Sequence, residues 1–329
     1  MDGWLDAADR QLACSIFGID DRSGVERMIL DWIALQGLGN GTIKSIEISV
    51  GAAITVALAD GSPILVKAWP GSIERASLTA QLAVQRSMAT RGYPAPALLT
   101  ELSSLGPGWV VAMAYKADGV PTDVRIIGVR RNMAWGLARF IAEADDCRDM
   151  PHLPRRQLPI GESIWPMPHN VLLDFDATRR GAEWIDKIAR QVLITMRNAS
   201  SRMVVGHHDW SAKNMRMGPE GIAVLYDWDA VFVDREAFVL GSAAAHFPVT
   251  WELAVPETPT VDEVRAFLRD YEQARGSNLT ALELAETAAG ATYARAYKAR
   301  CEHALDPSAA HWGGSSRESL KDHGPFSFT

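Results

Sequence analysis

Two short stretches in the second half of the chain carry side chains suited to phosphoryl transfer. Gly206–Asn214 (GHHDWSAKN) contains Asp209 and Asn214 in the pattern H-x-D-x-x-x-x-N, and Val224–Asp229 (VLYDWD) places Asp227 after an apolar run. Phosphoryl transfer needs a carboxylate that orients the attacking hydroxyl, and oxygen ligands for the divalent ions on the nucleotide phosphates. We therefore expect Asp209 to be the catalytic carboxylate, and Asn214 and Asp227 to bind Mg²⁺.

A cation must also brace the phosphates, and Lys67 is the candidate. It ends the apolar run ILVK, which predicts a buried strand. A lysine at a strand end is often only a solvated residue, and each motif alone is weak. The order of the pieces favours a kinase: strand lysine, helix, connector strand, helical region, H-x-D…N, short strand, aspartate.

The elements that position these residues change character along the chain. Residues 1–38 predict two helices, and 39–116 predict a small antiparallel sheet with hairpins and one helix that is N-capped by Ser72. Residues 117–305 are predicted to be mainly helical, with helices at about 121–145 and 178–198. Residues 306–329 are rich in Gly and Ser and predict a poorly ordered tail. The fold class is therefore α+β with two lobes.

Two sequence patterns predict where late helices begin. Thr260 with Glu263, and Thr280 with Glu283, match the capping box, in which the first hydroxyl and the later carboxylate each cap a backbone N–H. Gly276 is placed to end the first of these helices.

The motifs resemble those of the aminoglycoside phosphotransferase and choline kinase superfamily. The matching pieces are ILVK at Lys67, MAYKADG at Met113–Gly119, HHDWSAKN and YDWD, and the resemblance runs from about residue 40 to 305. The stretch YKARCEHAL at Tyr297–Leu305 is similar to a bacterial branch of unsettled substrate. The resemblance implies a protein-kinase-like fold, with ATP between a sheet-containing N-lobe and a helical C-lobe.

The resemblance also implies roles for single residues. Asp209 would be the catalytic base, and Asn214 and Asp227 the Mg²⁺ ligands. The acceptor would be a small molecule with a hydroxyl group, in the class of aminoglycosides, amino sugars or choline. The residues that contact ATP would be Lys67, Tyr115, Ala117, Gly51, Asn214 and Asp227.

The sequence departs from the superfamily pattern at several positions. His208 replaces the usual glycine and Trp210 the usual leucine, and Gly51 is the single glycine of the phosphate-covering hairpin. The superfamily pairs its strand lysine with a helix glutamate. In this chain that region offers Gln81 and Gln85, and its one acid, Glu74, lies in the first turn.

Two other classes of function remain open on the sequence. A nucleotide-binding module without turnover is suggested by the missing glutamate, and a metal-dependent hydrolase by the His-His-Asp run at 207–209. A zinc or iron site needs further ligands, and the other histidines show no H-E-x-x-H or H-x-H spacing.

Further polar and aromatic residues are candidates for the acceptor site or for ordinary surface and core positions. Trp165, Trp210 and Trp228 suit stacking on a ring, and Glu252 and Glu257 suit an acidic rim. The remaining candidates are Lys213 for the phosphate, Asp229 for the metal, and His169, Asp174 and Asp176 for the substrate.

The composition limits the kinds of partner that the protein is expected to bind. The net charge of -7 argues against nucleic acid, which needs a basic surface. No apolar run is long enough to cross a bilayer, and the acidic N-terminus lacks a signal pattern, so we expect a cytoplasmic protein without a membrane partner. The three cysteines are widely spaced and predict reduced thiols. Nothing in the sequence indicates the oligomeric state.

Overall fold

The computed structural model describes residues 7–168, 172–309 and 313–328. The chain separates into two compact units, Met1–Ala117 and Asp118–Thr329. The first unit contains helices and a five-stranded antiparallel sheet of order β1-β2-β3-β5-β4. Its elements are α1 (Ala7–Phe17), α2 (Arg22–Leu35), β1 (Gly41–Ile48), β2 (Ala52–Leu58), β3 (Pro63–Trp69), α3 (Arg75–Thr90), β4 (Ser103–Leu105) and β5 (Gly108–Ala114).

The two faces of this sheet pack against different helices, because successive side chains of a strand point to opposite faces. On β3, Ile64, Val66 and Ala68 join the core that also contains α1 and α2. Leu65 and Trp69 join the core that contains α3. Lys67 lies between them in the alternation and therefore shares the α3 face.

The second unit is mainly helical and holds two small two-stranded sheets, β6-β9 and β7-β8. Its elements are α4 (Ile127–Glu143), α5 (Glu183–Arg197), β6 (Met203–His207), β7 (Met215–Gly218), β8 (Gly221–Leu225), β9 (Val231–Arg235), α6 (Glu236–His246), α7 (Val261–Arg275), α8 (Ala281–Leu305) and α9 (Ser316–His323). The predicted α+β class, with a small antiparallel sheet followed by a larger helical part, is confirmed. None of the helices in the described residues has the length and apolar character needed to span a membrane.

Both predicted capping boxes are present. Thr260 caps α7 and Thr280 caps α8, and each hydroxyl accepts from the backbone N–H of a glutamate at the third helical position, Glu263 or Glu283. Gly276 ends α7 in the left-handed conformation with φ 76°, which glycine adopts without steric cost.

Three predicted helix starts were wrong, two of them for a local reason. The N-cap of α3 is Glu74 rather than Ser72. The helix expected from about residue 121 begins at Ile127, because Asp123 accepts hydrogen bonds from the backbone of Arg125 and Ile126 in a turn. The helix expected from about residue 178 begins at Glu183, after Gly181 with φ 87°.

The C-terminal tail was expected to be poorly ordered, and its described part is not. Residues Ser316–His323 form α9, which Ser315 caps through the backbone N–H of Glu318. Beyond the helix, Phe326 and Phe328 pack against small side chains of α6 and α8, so their burial offsets the entropy of ordering the tail.

Helices α6 and α8 pack with little room between their backbones. A Cβ added at Gly241 of α6 would lie 2.5 Å from the carbonyl oxygen of Thr287 and 2.6 Å from the backbone nitrogen of Ala291. Because both neighbours are backbone atoms, the close approach requires glycine at this position.

We expect Gly241→Ala to lower the free energy of unfolding by about 1–3 kcal/mol, the usual range for overpacking. Gly128→Ala is the matched control, since Gly128 lies in α4 with nothing within 4 Å of the added Cβ. The control should be neutral or stabilising by up to ~1 kcal/mol, because alanine is the better helix former. Urea denaturation of both variants checks this, and equal stabilities would contradict the close packing.

Candidate active site

The loop after β6 is held by its own backbone and by the Asn214 side chain. The Asn214 amide Nδ2 donates to the carbonyl oxygen of Asp209 at 2.9 Å, and the Asn214 backbone N–H donates to the carbonyl of Ser211 at 3.1 Å. Because its NH₂ group faces the Asp209 backbone, the amide has a fixed orientation, and its Oδ1 is the atom suited to a cation.

The Asp209 carboxylate is half-buried and charged. Its Oδ2 lies 2.8 Å from Lys213 Nζ, and its Oδ1 accepts a hydrogen bond from the Ser211 hydroxyl at 3.1 Å. Burial raises the pKa of Asp209, but the charge and hydrogen bond of Lys213, together with contributions from Asn214 and His207, outweigh burial, and the net pKa lies below the ordinary value. Lys213, a candidate for touching the phosphate, instead pairs with the catalytic candidate.

His207 ties this loop to the strand end that carries Asp227. Its Nε2 lies 3.1 Å from the carbonyl oxygen of Tyr226, and a carbonyl can only accept, so Nε2 carries the proton. Burial lowers the pKa of His207, which keeps the ring neutral. Phe140 of α4 packs edge-on against the His207 ring, at 6.4 Å between centroids.

Asp227 has an unusual backbone conformation. Its φ of 65° and ψ of 44° are left-handed, and within the described chain only His152 is another non-glycine residue with positive φ. Aspartate tolerates this conformation better than most residues. The Tyr226 N–H donates to the Asn214 carbonyl at 2.8 Å, which brings Asp227 beside Asn214.

These contacts bring the candidate catalytic and metal-binding side chains close together in space. The carboxylates of Asp209, Asp227 and Asp229 are all close enough to His207 to oppose the lowering of its pKa. The second unit therefore brings Asp209, Asn214 and Asp227 together at the ends of β6 and β8, with Asp229 nearby.

The donor set fits Mg²⁺ better than zinc. Asn214 and Asp227 offer an amide oxygen and a carboxylate, which are hard oxygen ligands, and Mg²⁺ is usually held by one or two protein carboxylates plus phosphates and water. Within the described parts of the chain, no group of three or more His, Cys, Asp or Glu residues is placed to hold a metal ion. A hydrolase-type zinc site, with three protein ligands, is therefore not formed by those residues.

His208 occupies the place of the usual glycine without disturbing the loop. Its backbone N–H donates to the carbonyl of Ala230 at 2.9 Å, and its ring packs edge-on against Phe232. Burial lowers the pKa of His208 well below its usual range, so the ring is neutral although its Nε2 lies 3.3 Å from Asp234. The His208 side chain thus has a packing role against Phe232.

The first unit holds Lys67 and Gly51 on neighbouring strands. Lys67 pairs with Ala53 in the β2–β3 register, two residues after Gly51 in the turn that joins β1 and β2. A Cβ at Gly51 would lie 2.7 Å from the carbonyl oxygen of Ala68, so the close approach of the turn to β3 requires glycine. Lys67 is half-buried with Nζ 5.7 Å from the Trp69 ring centroid.

Of the candidate partners for Lys67, two are committed elsewhere. Gln85 Nε2 donates to the carbonyl oxygen of Pro96 at 2.8 Å. Glu74 is exposed at the N-cap of α3, and its carboxylate accepts from the Ser77 hydroxyl at 2.8 Å.

Gln81 is the residue of α3 best placed to reach Lys67. The start of α3 lies near Trp109, which pairs with Trp69, because the Trp109 indole donates to the Ile73 carbonyl. Gln85, one turn after Gln81, contacts Met113, which pairs with Leu65. Lys67 lies between Leu65 and Trp69, so the buried Gln81 is at its level.

The segment that contains Tyr115 and Ala117, two residues expected to contact ATP, follows β5. Tyr115 is half-buried, and Ala117, the last residue of the first unit, is exposed. The residues from Tyr115 to Ala117 form neither helix nor strand, which leaves them outside the ladder of β5.

Several acceptor-site candidates have other roles. Trp210 and Trp228 are buried, 1% and 2% exposed, and both pack against Phe140, so neither offers a ring face. Glu252 pairs with Arg216 at 2.6 Å and Glu257 with Lys298 at 3.2 Å, so they do not form an acidic rim.

The remaining candidates lie in the segment between α4 and α5. Trp165 belongs to an aromatic cluster with Phe175, Tyr293 and Tyr297. The Asp174 carboxylate accepts from the backbone of Asp176 in a turn, and Asp176 is part of the same turn. His169 lies outside the described residues.

Trp251, which no motif of the sequence singles out, lies beside Lys213. Its side chain is 73% exposed, and its ring centroid lies 4.9 Å from Lys213 Nζ. The only signal available was an aromatic residue in a segment without helical or strand period after α6, which does not by itself indicate a site.

We expect Gln81→Leu to weaken Mg·ATP binding by about tenfold, because leucine offers no acceptor to Lys67 and a hydrogen bond to a charged group contributes ~1.5–3 kcal/mol. Gln81→Glu should retain binding. Gln85→Leu is the matched control. It should lower the melting temperature, since the Pro96 carbonyl loses its donor, but should leave the affinity unchanged. Calorimetry with AMP-PNP measures the affinity, and thermal unfolding measures the melting temperature. Weaker binding in Gln85→Leu but not in Gln81→Leu would assign Gln85 as the partner of Lys67.

Comparison with known proteins shows which solved structures share the fold of this chain. No protein-family model matches the chain, and no curated protein matches it. An amicoumacin kinase in complex with AMP-PNP, Ca²⁺ and Ami is 9% identical, with coverage of 93% of this chain and 98% of that chain and a TM-score of 0.63. A Plasmodium vivax ethanolamine kinase is 11% identical, with 92% and 89% coverage and a TM-score of 0.56.

A spectinomycin phosphotransferase in complex with ADP and spectinomycin is 14% identical, with coverage of 95% of this chain and 91% of that chain and a TM-score of 0.52. At these identities the similarity concerns the fold. The chain has the fold of the superfamily that its motifs resemble, that of the aminoglycoside phosphotransferases and the choline and ethanolamine kinases.

Proposed function

We propose that this protein is a kinase that transfers the γ-phosphate of ATP to a hydroxyl group of a small molecule. The observation that carries the proposal is the cluster of Asp209, Asn214 and Asp227 in the second unit, in which Asn214 is hydrogen-bonded to Asp209 and to the residue before Asp227. A carboxylate and two oxygen ligands in adjoining loops are the parts that phosphoryl transfer requires. The similar structures support it, since their names describe kinases and phosphotransferases of small molecules.

In this proposal Asp209 orients the acceptor hydroxyl. Its lowered pKa keeps the carboxylate ionised at neutral pH, so it accepts a hydrogen bond from the hydroxyl and points the oxygen at the phosphorus. Lys213 and Ser211 hold the carboxylate in place, and each carboxylate oxygen has a second lone pair for the acceptor.

Asn214 and Asp227 are proposed to hold Mg²⁺. When bound with ATP, the ion neutralises charge on the phosphates. The two protein ligands are oriented before it binds, Asn214 by its amide contact to Asp209 and Asp227 by its left-handed backbone. Asp229 is a second carboxylate beside them.

The first unit is proposed to bind the nucleotide. Lys67 contacts the phosphates from the α3 face of the sheet, and the turn at Gly51 covers them with few backbone N–H groups. The backbone from Tyr115 to Ala117 contacts the adenine.

An inert nucleotide-binding module is the second candidate, and the observation that favours it is the glutamine at the place of the helix glutamate. Slow ATP hydrolysis without an acceptor separates the two candidates, because only a working site activates water. A metal hydrolase is tested by thermal shift, in which Zn²⁺ alone, rather than ATP with Mg²⁺, should stabilise such an enzyme.

We expect Asp209→Asn to reduce turnover by at least about a hundredfold, the scale of a positioned acid–base group. Affinity for Mg·ATP should remain nearly unchanged, since the side chain is assigned to the acceptor. Acceptor-independent ATP hydrolysis gives the rate, and calorimetry gives the affinity. Asp149→Asn, at a carboxylate that is 80% exposed, is the control. A variant that keeps most of its activity would rule Asp209 out.

We expect Asp227→Asn to weaken Mg·ATP binding by at least about tenfold without loss of stability. Asparagine tolerates the left-handed backbone and lacks the charge, whereas Asp227→Ala adds about 1 kcal/mol of strain. Calorimetry with and without Mg²⁺, together with melting temperatures, separates the two effects. If Asp229→Asn abolishes binding and Asp227→Asn does not, the metal ligand is Asp229.

A further inference from the structure

Two hydrogen bonds hold the backbone of the catalytic loop at Lys213. The Ala212 N–H donates to the Phe247 carbonyl at 3.0 Å, and the Lys213 N–H donates to the Val249 carbonyl at 2.8 Å. These bonds join the loop to the segment that follows α6, so the point at which the lysine side chain leaves the backbone is fixed. A side chain that is already held in place loses less conformational freedom when it binds a ligand.

The ammonium of Lys213 lies between a carboxylate and an indole. Its Nζ is 2.8 Å from Asp209 Oδ2 and 4.9 Å from the Trp251 ring centroid, within the range of a cation–π contact. The lysine side chain is 21% exposed, whereas Trp251 is 73% exposed. The indole thus covers the lysine while remaining in solvent itself, and the partly covered ammonium interacts with charges more strongly than a surface lysine does.

The ion pair with Asp209 uses only part of the hydrogen-bonding capacity of the ammonium. A lysine ammonium has three N–H donors. Among the residues that the structure describes, Asp209 is the one acceptor that the Lys213 ammonium contacts, and the indole of Trp251 presents its ring rather than an acceptor atom. The ammonium can therefore donate to a further acceptor beside the catalytic carboxylate.

The transferred phosphoryl group is an acceptor within reach of this ammonium. In the proposed reaction the acceptor hydroxyl lies about 2.7 Å from the Asp209 carboxylate, and its oxygen approaches the phosphorus to about 3–3.5 Å. The phosphorus is then about 6 Å or less from the carboxylate. Lys213 contacts the same carboxylate and directly precedes Asn214, a proposed metal ligand, so it borders the space between the acceptor and the metal site.

The negative charges of the site give this cation a purpose. The carboxylates of Asp227 and Asp229 lie near His207 together with that of Asp209, so an incoming phosphoryl group meets three carboxylates. The proposed metal ion is assigned to Asp227, whereas Lys213 is the cation in contact with Asp209. A cation at that point offsets the repulsion between the Asp209 carboxylate and the phosphoryl oxygens.

We propose that Lys213 is a catalytic residue that donates a hydrogen bond to a non-bridging oxygen of the phosphoryl group as this group passes from ATP to the acceptor. The proposal rests on the proposed kinase function. The acceptor oxygen forms the new bond to phosphorus, the bond from phosphorus to the β–γ bridging oxygen breaks, and ADP keeps the electron pair of that bond. The hydroxyl proton passes to Asp209, and Lys213 keeps its own protons throughout.

Binding of fluoroaluminate to the Mg·ADP complex tests this contact without an acceptor. Fluoroaluminate is an anion of similar size to the transferred phosphoryl group. We expect Lys213→Met to weaken its binding by about tenfold or more, the scale of a hydrogen bond to a charged group, and to leave the affinity for Mg·ADP unchanged. Calorimetry measures both affinities. Lys298→Met is the matched control and should change neither, since Lys298 is a 26% exposed lysine of α8 that pairs with Glu257.

A double variant separates direct contact from an effect through Asp209. If Lys213 only orients the carboxylate, Lys213→Met has no further effect on fluoroaluminate binding once Asp209 is replaced by asparagine. We expect the loss of about tenfold to persist in the Asp209→Asn background, because the ammonium still reaches the anion. In the otherwise wild-type protein, Lys213→Met should also reduce kcat for acceptor-independent ATP hydrolysis by at least about tenfold, with little change in the KM for ATP.

The outcomes separate this proposal from the kinase function itself. A wild-type protein that binds no Mg·ADP would contradict the kinase function. With Mg·ADP binding intact, three results would overturn the direct contact: wild-type protein that does not bind fluoroaluminate, equal fluoroaluminate affinity in wild type and Lys213→Met, or a loss that disappears in the Asp209→Asn background. Melting temperatures show that the compared variants are folded, as expected for the loss of a partly exposed ion pair.

Discussion

The hydrogen bond from His207 to the Tyr226 carbonyl is the contact on which the site depends. It joins the loop of Asp209 and Asn214 to the strand end of Asp227, two segments that are separate in sequence. The bond requires a proton on Nε2, and burial against Phe140 and Trp210 keeps the ring neutral by lowering the pKa of the imidazole. The aromatic residues that bury His207 therefore maintain the neutral ring in the contact between these two segments.

Local patterns in the sequence were sufficient for much of the fold and for part of the site. Alternating apolar residues predicted the hairpins of the first unit, and the capping boxes predicted the starts of α7 and α8, because these signals act over a few residues. Asp209 and Asn214 could be proposed together for the same reason. Their spacing closes one turn, and the amide contact between them is local.

Long-range contacts could not be predicted in this way. The pairing of Lys213 with both Asp209 and Trp251 depends on where α6 ends in space. Ordering of the tail depends on the small residues of α6 and α8, which accommodate Phe326 and Phe328. The prediction of an acidic rim was wrong for the same reason, because the pairing of Glu252 with Arg216 forms only in the folded chain. A charge pattern along a sequence does not show which charges are already neutralised.

The left-handed backbone at Asp227 has a genetic consequence. Few amino acids fit this conformation well, chiefly glycine, asparagine and aspartate. Both aspartate codons become asparagine or glycine codons by a single nucleotide substitution. A single mutation at this codon can therefore produce a chain that folds normally and lacks the carboxylate, so loss of the proposed metal ligand would leave protein abundance unchanged and escape selection that acts on folding alone.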